Sequence, residues 1–176
     1  MGYKKYIDFP HFLRRALWLK GTLTGKVMEI GCAFGFLVKH AREVGIDCYG
    51  LDKSEYAISQ APKEITEYLI KSDVKDYNFE VFDWIISWNV LDCLDNEAHA
   101  KAIADTMNTS KATQIHILCM NNGSYEADGY FIRDYTFWQK LLLEAYLVSY
   151  ECGTVYTPKG KHPLTKIPTC WERVTR

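Results

Sequence analysis

Between residues 26 and 120 the chain alternates short apolar runs with segments of helical period, and that alternation restricts it to a few architectures. Runs at 26–30, 46–51, 67–71, 84–88 and 113–120 have the length and β-branched content of buried strands. Helical segments fall between most of them. One covers 36–44 and is closed by Gly45; another covers 55–61, with Ser54 placed as N-cap and Pro62 as stop. A third covers 98–107, with Ile103 and Met107 one turn apart, and a fourth covers 136–145. Strand and helix in alternation predict an α/β fold, a Rossmann-like doubly wound sheet with helices on both faces. The late strands expected at 146–151 and 169–174 have no helix between them. They predict an antiparallel C-terminal hairpin on a mostly parallel sheet. A helix over 9–19 precedes the first strand and carries Phe12, Leu13, Ala16, Leu17 and Leu19. The expected organisation is a single domain over 1–176 with a short N-terminal helical segment.

Charge and cysteine usage exclude several function classes. Formal net charge is −1, and the basic residues are scattered, with Arg14 and Arg15 read as solvated charge on the leading helix. A nucleic-acid partner, which asks for a basic stripe, is not expected. The six cysteines show no Cys-x-x-Cys spacing, and the five histidines show no ligand spacing, so no metal site is expected. All six cysteines are read as reduced thiols. No apolar stretch approaches the roughly 18–20 residues that cross a bilayer, and the charged first residues do not read as a secretory leader. A cytoplasmic protein is expected.

The chemistry concentrates at the ends of the strands. Gly31-Cys-Ala-Phe-Gly35 is a glycine turn between a strand and a helix, where a ligand can approach backbone without meeting a Cβ. The helix start behind it offers unpaired N–H groups. Asp52 closes the second strand 21 residues beyond Gly31, the distance at which an acid accepts hydrogen bonds from ribose hydroxyls; it could also cap the helix near Ser54. Glu29, two residues before the turn, is poor company for a pyrophosphate and good company for an ammonium group. The turn also lacks the third glycine of the dinucleotide fingerprint, since Leu37 and Val38 stand there. Together these residues point to a nucleoside carrying a cationic amino-acid tail.

In these segments the chain resembles class I S-adenosylmethionine-dependent methyltransferases, particularly those acting on small molecules. Glu-Ile-Gly-Cys-Ala-Phe-Gly (29–35) is similar to the family's first motif, with Ala33 in place of the middle glycine. Gly-Leu-Asp-Lys-Ser (50–54) is similar to the second, Lys71-Ser-Asp-Val74 to the third and the run 82–91 to the fourth. The resemblance implies the seven-stranded methyltransferase fold and S-adenosylmethionine as cofactor, with S-adenosylhomocysteine as product. It implies that Glu29, Gly31, Cys32, Ala33 and Gly35 form the cofactor loop and that Asp52, with Lys53 beside it, holds the ribose. It further implies that Asp73 bonds the adenine amino group, that Val74 meets the ring edge, and that Trp88 and Asn89 face the methionine part. The Asn/Asp-Pro-Pro-aromatic run of amino-directed DNA methyltransferases is absent, and Asp92-Cys93 stands where many members have Glu-His.

The catalytic candidates are Asn89 and Asp92. Asn89 reads either as a group orienting the donor or an acceptor hydroxyl, or as a loop turn. Asp92 reads either as a base or as the cap of the helix that follows. Trp88 reads as pocket wall or as core. Tyr125 and Tyr130, expected in a long loop after the fifth strand, could line an acceptor pocket. The function expected is methyl transfer to an oxygen or nitrogen of a small-molecule acceptor. The alternatives are a protein that binds the donor without turnover and a nicotinamide-dependent oxidoreductase.

Overall fold

The computed structural model describes residues 10–118, 125–127, 130–142, 145–149 and 155–156. The chain enters through helix α1 (Pro10–Lys20). Strand β1 (Lys26–Ile30) runs into the glycine turn and α2 (Phe36–Glu43). Strand β2 (Asp47–Asp52) leads to the short helix α3 (Glu55–Ser59), whose first turn is capped as expected by the Ser54 hydroxyl, accepting from Ala57 N. A 3-10 turn, Lys63–Tyr68, takes up the start of the segment read as a strand and leaves β3 as Leu69–Lys71. Strand β4 (Trp84–Trp88) and helix α4 (Glu97–Asn108) follow, then β5 (Thr113–Leu118).

Where a long loop was expected, an antiparallel hairpin forms instead, β6 (Tyr125–Ala127) with β7 (Tyr130–Ile132). It places the Tyr125 and Tyr130 backbones in strands, next to the 3-10 turn Leu91–Cys93. Helix α5 (Tyr135–Leu141) ends earlier than expected, and β8 (Ala145–Ser149) pairs with β9 (Val155–Tyr156). The antiparallel hairpin of the late chain is therefore present, with 155–156 as its second strand. The segment 169–174, expected in that position, lies outside the described residues.

The main sheet has the order β3-β2-β1-β4-β5-β8-β9. All its pairings are parallel except that of β8 with β9. Strand order reverses between β1 and β4, and at such a reversal the connecting segments diverge and open a crevice at the carboxyl ends of the strands. Successive side chains alternate across the sheet. Val27, Ile86, Ile115 and Ile117 pack with Ala16 and Leu19 of α1 and Val38 and Ala41 of α2. Met28, Ile30, Ile85 and Leu118 pack with Ile103 and Met107 of α4 and Trp138 of α5. Among the described residues no helix is long and apolar enough to cross a membrane.

Candidate functional site

The turn after β1 is shaped by three left-handed residues, Gly31 (φ 67°), Ala33 (φ 49°) and Gly35 (φ 72°). At Gly31 a Cβ would run into the Val90 side chain arriving from the end of β4. At Gly35 it would lie 2.7 Å from Ile65 Cδ1. Both positions therefore exclude a side chain as well as tolerating the backbone. Ala33 has no such freedom, and its conformation is held from outside. Its backbone N–H donates to Asp52 Oδ2 at 2.8 Å, while Asp52 Oδ1 accepts from Ser54 N, also at 2.8 Å. Asp52 is thus a buried clamp joining the turns after β1 and β2. Each of its oxygens retains lone-pair capacity for a further donor. Helix α2, which starts at this turn, has no side-chain cap, so its positive end remains directed at the crevice.

Glu29 faces the α1–α2 layer. Two residues along a strand from Val27, it shares that residue's side of the sheet. It is 6% exposed, and its Oε2 has no hydrogen-bond partner. Burial pushes its carboxyl up to about 8; the charge of Arg15 opposes the shift and that of Asp52 adds to it. Burial likewise holds the Cys32 and Cys48 thiols well above their ordinary value, so neither is a nucleophile.

The other strand ends complete the crevice. Ser72 N donates to the Asp52 carbonyl at 3.1 Å, tying the segment after β3 to the end of β2. Asp73 accepts from Lys75 N and opens a 3-10 turn in which Val74 is buried. Lys53 is exposed beside Asp52. Asn89, exposed at the end of β4, takes a left-handed conformation (φ 51°) that asparagine tolerates better than most residues. Its N–H is held by the Ile117 carbonyl of β5 at 2.8 Å. Asp92 is buried in the turn Leu91–Cys93 and does not cap α4; Asn96 does, accepting from His99 N. Trp88 is 8% exposed, its ring edge-on to Trp18 at 6.0 Å.

The sequence reading missed Arg15. Its guanidinium lies 4.9 Å from the Trp88 ring centroid and 5.5 Å from that of Phe12. The signal was present: Phe12, Arg15 and Leu19 recur at i, i+3 and i+7, on the inward face of α1. A row of rings continues from Phe12 to Phe36 (5.6 Å), Phe34 (6.3 Å) and Tyr56 (6.5 Å) along the turn.

Comparison with known proteins agrees with this geometry. Residues 27–112, which run from within β1 to the residue before β5, match the family model described as a methyltransferase domain. No curated protein sequence matches the chain. Among solved structures, the PH0226 protein from Pyrococcus horikoshii OT3 aligns with a TM-score of 0.61 at 15% identity, covering 80% of this chain and 88% of that one. The mitomycin 7-O-methyltransferase MmcR aligns with a TM-score of 0.61 at 14% identity, covering 81% and 51%. The glycopeptide N-methyltransferase MtfA, complexed with S-adenosyl-L-methionine, aligns with a TM-score of 0.50 at 16% identity, covering 73% and 68%. The chain thus spans from about half to most of the length of these proteins, and at these identities the likeness is one of fold. Strand order, glycine turn and family match converge on a methyltransferase-like fold, and residues 27–112, just under half of the chain, are similar to a methyltransferase domain.

Proposed function

We propose that this protein transfers the methyl group of S-adenosylmethionine to an oxygen or nitrogen of a small molecule. The observation that carries the reading is the gathering of four separate segments at one crevice: the glycine turn, Asp52, Ser72–Val74 and Trp88–Asn89 stand at the carboxyl ends of β1, β2, β3 and β4. The residues present suit the cofactor. The unpartnered oxygen of buried Glu29 answers an ammonium group, the spare lone pairs of Asp52 answer ribose hydroxyls, and Asp73 and Val74 stand where a base edge would follow. When bound, the cofactor supplies an activated methyl group on a sulfonium.

The protein's own part is binding and alignment. Asp52 keeps the turn open in its left-handed form, and Glu29 fixes the amino-acid end of the donor. The backbone turn at Asn89, pinned to β5, sets the floor over which the acceptor lies. In-line displacement gains several kcal/mol from such positioning alone. Asp92, removed from solvent, is poorly placed to receive a proton, which favours an acceptor whose nucleophile needs little deprotonation. A small-molecule acceptor agrees with what the neighbours named for mitomycin and glycopeptide methylation act on.

Titration calorimetry with S-adenosylmethionine and S-adenosylhomocysteine tests the reading, with Asp52→Ala as control. Micromolar binding that Asp52→Ala abolishes is the expected result, followed by S-adenosylhomocysteine formation when an acceptor library is screened. An intact fold that binds neither compound would overturn it. Binding without turnover on any acceptor would leave the donor-binding alternative.

A further inference from the structure

From the surroundings of Glu29 we infer that this residue holds a proton until the cofactor binds, and that the ammonium of the cofactor's amino-acid end expels that proton to solvent. The inference rests on the methyltransferase reading above and adds to it a control of cofactor affinity by pH.

The physical case begins with what flanks the carboxyl. Register places Glu29 of β1 between Gly50 of β2 and Ile86 of β4, which stand on its own side of the sheet. Gly50 brings no side chain, and a Cβ there would lie 2.7 Å from Cys32 Sγ. Ile86 brings only hydrocarbon. Val27 and Cys48 lie one pleat back, and the covering helices contribute Leu19, Val38 and Ala41. The partnerless Oε2 of Glu29 therefore has no donor to support a negative charge. In such a place an acid keeps its proton rather than ionise.

The charged groups around it do not reverse this. Burial lifts the carboxyl to about 8; Arg15 of α1 pulls the other way, and Asp52 at the end of β2 adds to the rise. From β2 and the glycine turn the Cys48 and Cys32 thiols face it, both kept protonated by burial. Helix α2 turns Leu37, Val38 and Ala41 inward, while its Lys39 and His40 pair with Glu43 and its Arg42 with Asp47. The sign follows from counting protons. At pH 7 the carboxyl and a free amino group, whose ordinary value is about 7.7–8.0, hold nearly two protons between them. The carboxylate–ammonium pair holds one, so about one proton leaves for solvent, and affinity rises toward tenfold per pH unit below pH 7. Above pH 8 both free groups have lost their protons, the pair must take one up, and affinity falls again.

The test is a proton count. Binding of S-adenosylmethionine is followed by calorimetry in phosphate and in Tris at equal pH. The two buffers take up a proton with different enthalpies, so the difference in heat reads the protons released. The native protein is expected to release about one proton at pH 7 and to take up most of one at pH 9. Glu29→Gln keeps the shape and cannot ionise; it should release none, and its affinity should hold within about twofold between pH 6 and 7. If Glu29→Gln fails to fold, an infrared difference spectrum of the native protein decides the matter. Loss of a protonated-carboxyl band on binding supports the proposal, and no such loss overturns it. A native protein that binds S-adenosylmethionine at pH 7 without releasing a proton, or a Glu29→Gln protein that still releases one, overturns the role of Glu29 while leaving the methyltransferase reading intact. A native protein that binds neither S-adenosylmethionine nor S-adenosylhomocysteine overturns both.

Discussion

Two buried titratable residues sit in the same sheet, on opposite faces, and their surroundings differ in a way that separates binding from architecture. Glu29 on β1 faces α1 and α2, has an oxygen with no partner, and is pushed up to about 8 by burial. His116 on β5 faces the α4–α5 layer, is fully buried, and is pushed down to about 3 by the same cause. Both of its nitrogens are satisfied. Ser87 Oγ lies 2.8 Å from Nδ1 and Gln114 Oε1 3.1 Å from Nε2. Neutral imidazole has one donor and one acceptor, so Nε2–H donates to the amide oxygen and Nδ1 accepts from the serine. The Gln114 amide continues to Asn108 Oδ1 at 3.4 Å, and Asn108 Nδ2 donates to the Leu141 carbonyl at 2.9 Å. This chain of bonds ties β4, β5, α4 and α5 together and leaves His116 no capacity for a ligand. Glu29, in contrast, keeps an unmet valence at the end of a strand beside the crevice. A protein tolerates an unmet buried acceptor where a ligand completes it.

The comparison predicts first that the two faces respond oppositely to pH. His116 has a folded-state value below its unfolded 6.5, so the unfolded chain takes up the proton first. Its contribution is complete above pH 6.5 and is lost as pH falls toward 3, about 5 kcal/mol at the limit by the 1.36 kcal/mol that each pH unit carries. Glu29 has a folded-state value above its unfolded 4.5. Its contribution is therefore complete below pH 4.5 and is lost as pH rises through 8. Denaturant melts across pH 3–10 should show both limbs; Glu29→Gln should flatten the alkaline one alone.

Next in size is His116→Leu at pH 7. Stranding Ser87 and Gln114 in the core should cost about 2–4 kcal/mol in urea melts, with cofactor affinity unchanged if the protein folds. A large loss of affinity in a folded His116→Leu protein would break the division between the two faces.

Glu29→Gln should do the reverse. With the native carboxyl protonated at pH 7 in the empty protein, the amide is nearly isosteric and stability should change little. S-adenosylmethionine should nevertheless bind about 10- to 100-fold more weakly, the worth of one charge-assisted hydrogen bond. Calorimetry on the folded variant measures it. The smallest effect is expected at Ala33→Gly. Relief of a left-handed alanine, about 1 kcal/mol, is offset by the greater freedom of glycine in the unfolded chain, so the melting temperature should hold within a few degrees.

The parts of the fold legible in the sequence were those with local causes. Strands 26–30 and 84–88 are short, mostly apolar runs bounded by polar or turn residues, and the structure gives them the expected limits. Ser54 was recognisable as a cap because its partner is three residues away. Asn96 was passed over for Asp92, since both acids and amides cap helices and only the backbone path shows which one reaches the first turn. The hairpin of β6 and β7 was hidden because the turn formers in 121–129 read equally as loop, and three-residue strands carry too little pattern to be separated from it.

By itself, then, the amino-acid order determined the alternation of elements, the glycine turn and the spacing from Gly31 to Asp52, since each depends on residues within one turn or one strand–helix unit. The tertiary structure alone decided which face each strand residue occupies and who meets it there. Arg15 is 73 positions from Trp88, and Ser87 is 29 from His116. Those meetings are set by sheet register and helix packing, which arise from the burial of whole faces rather than from any local preference of the residues that use them.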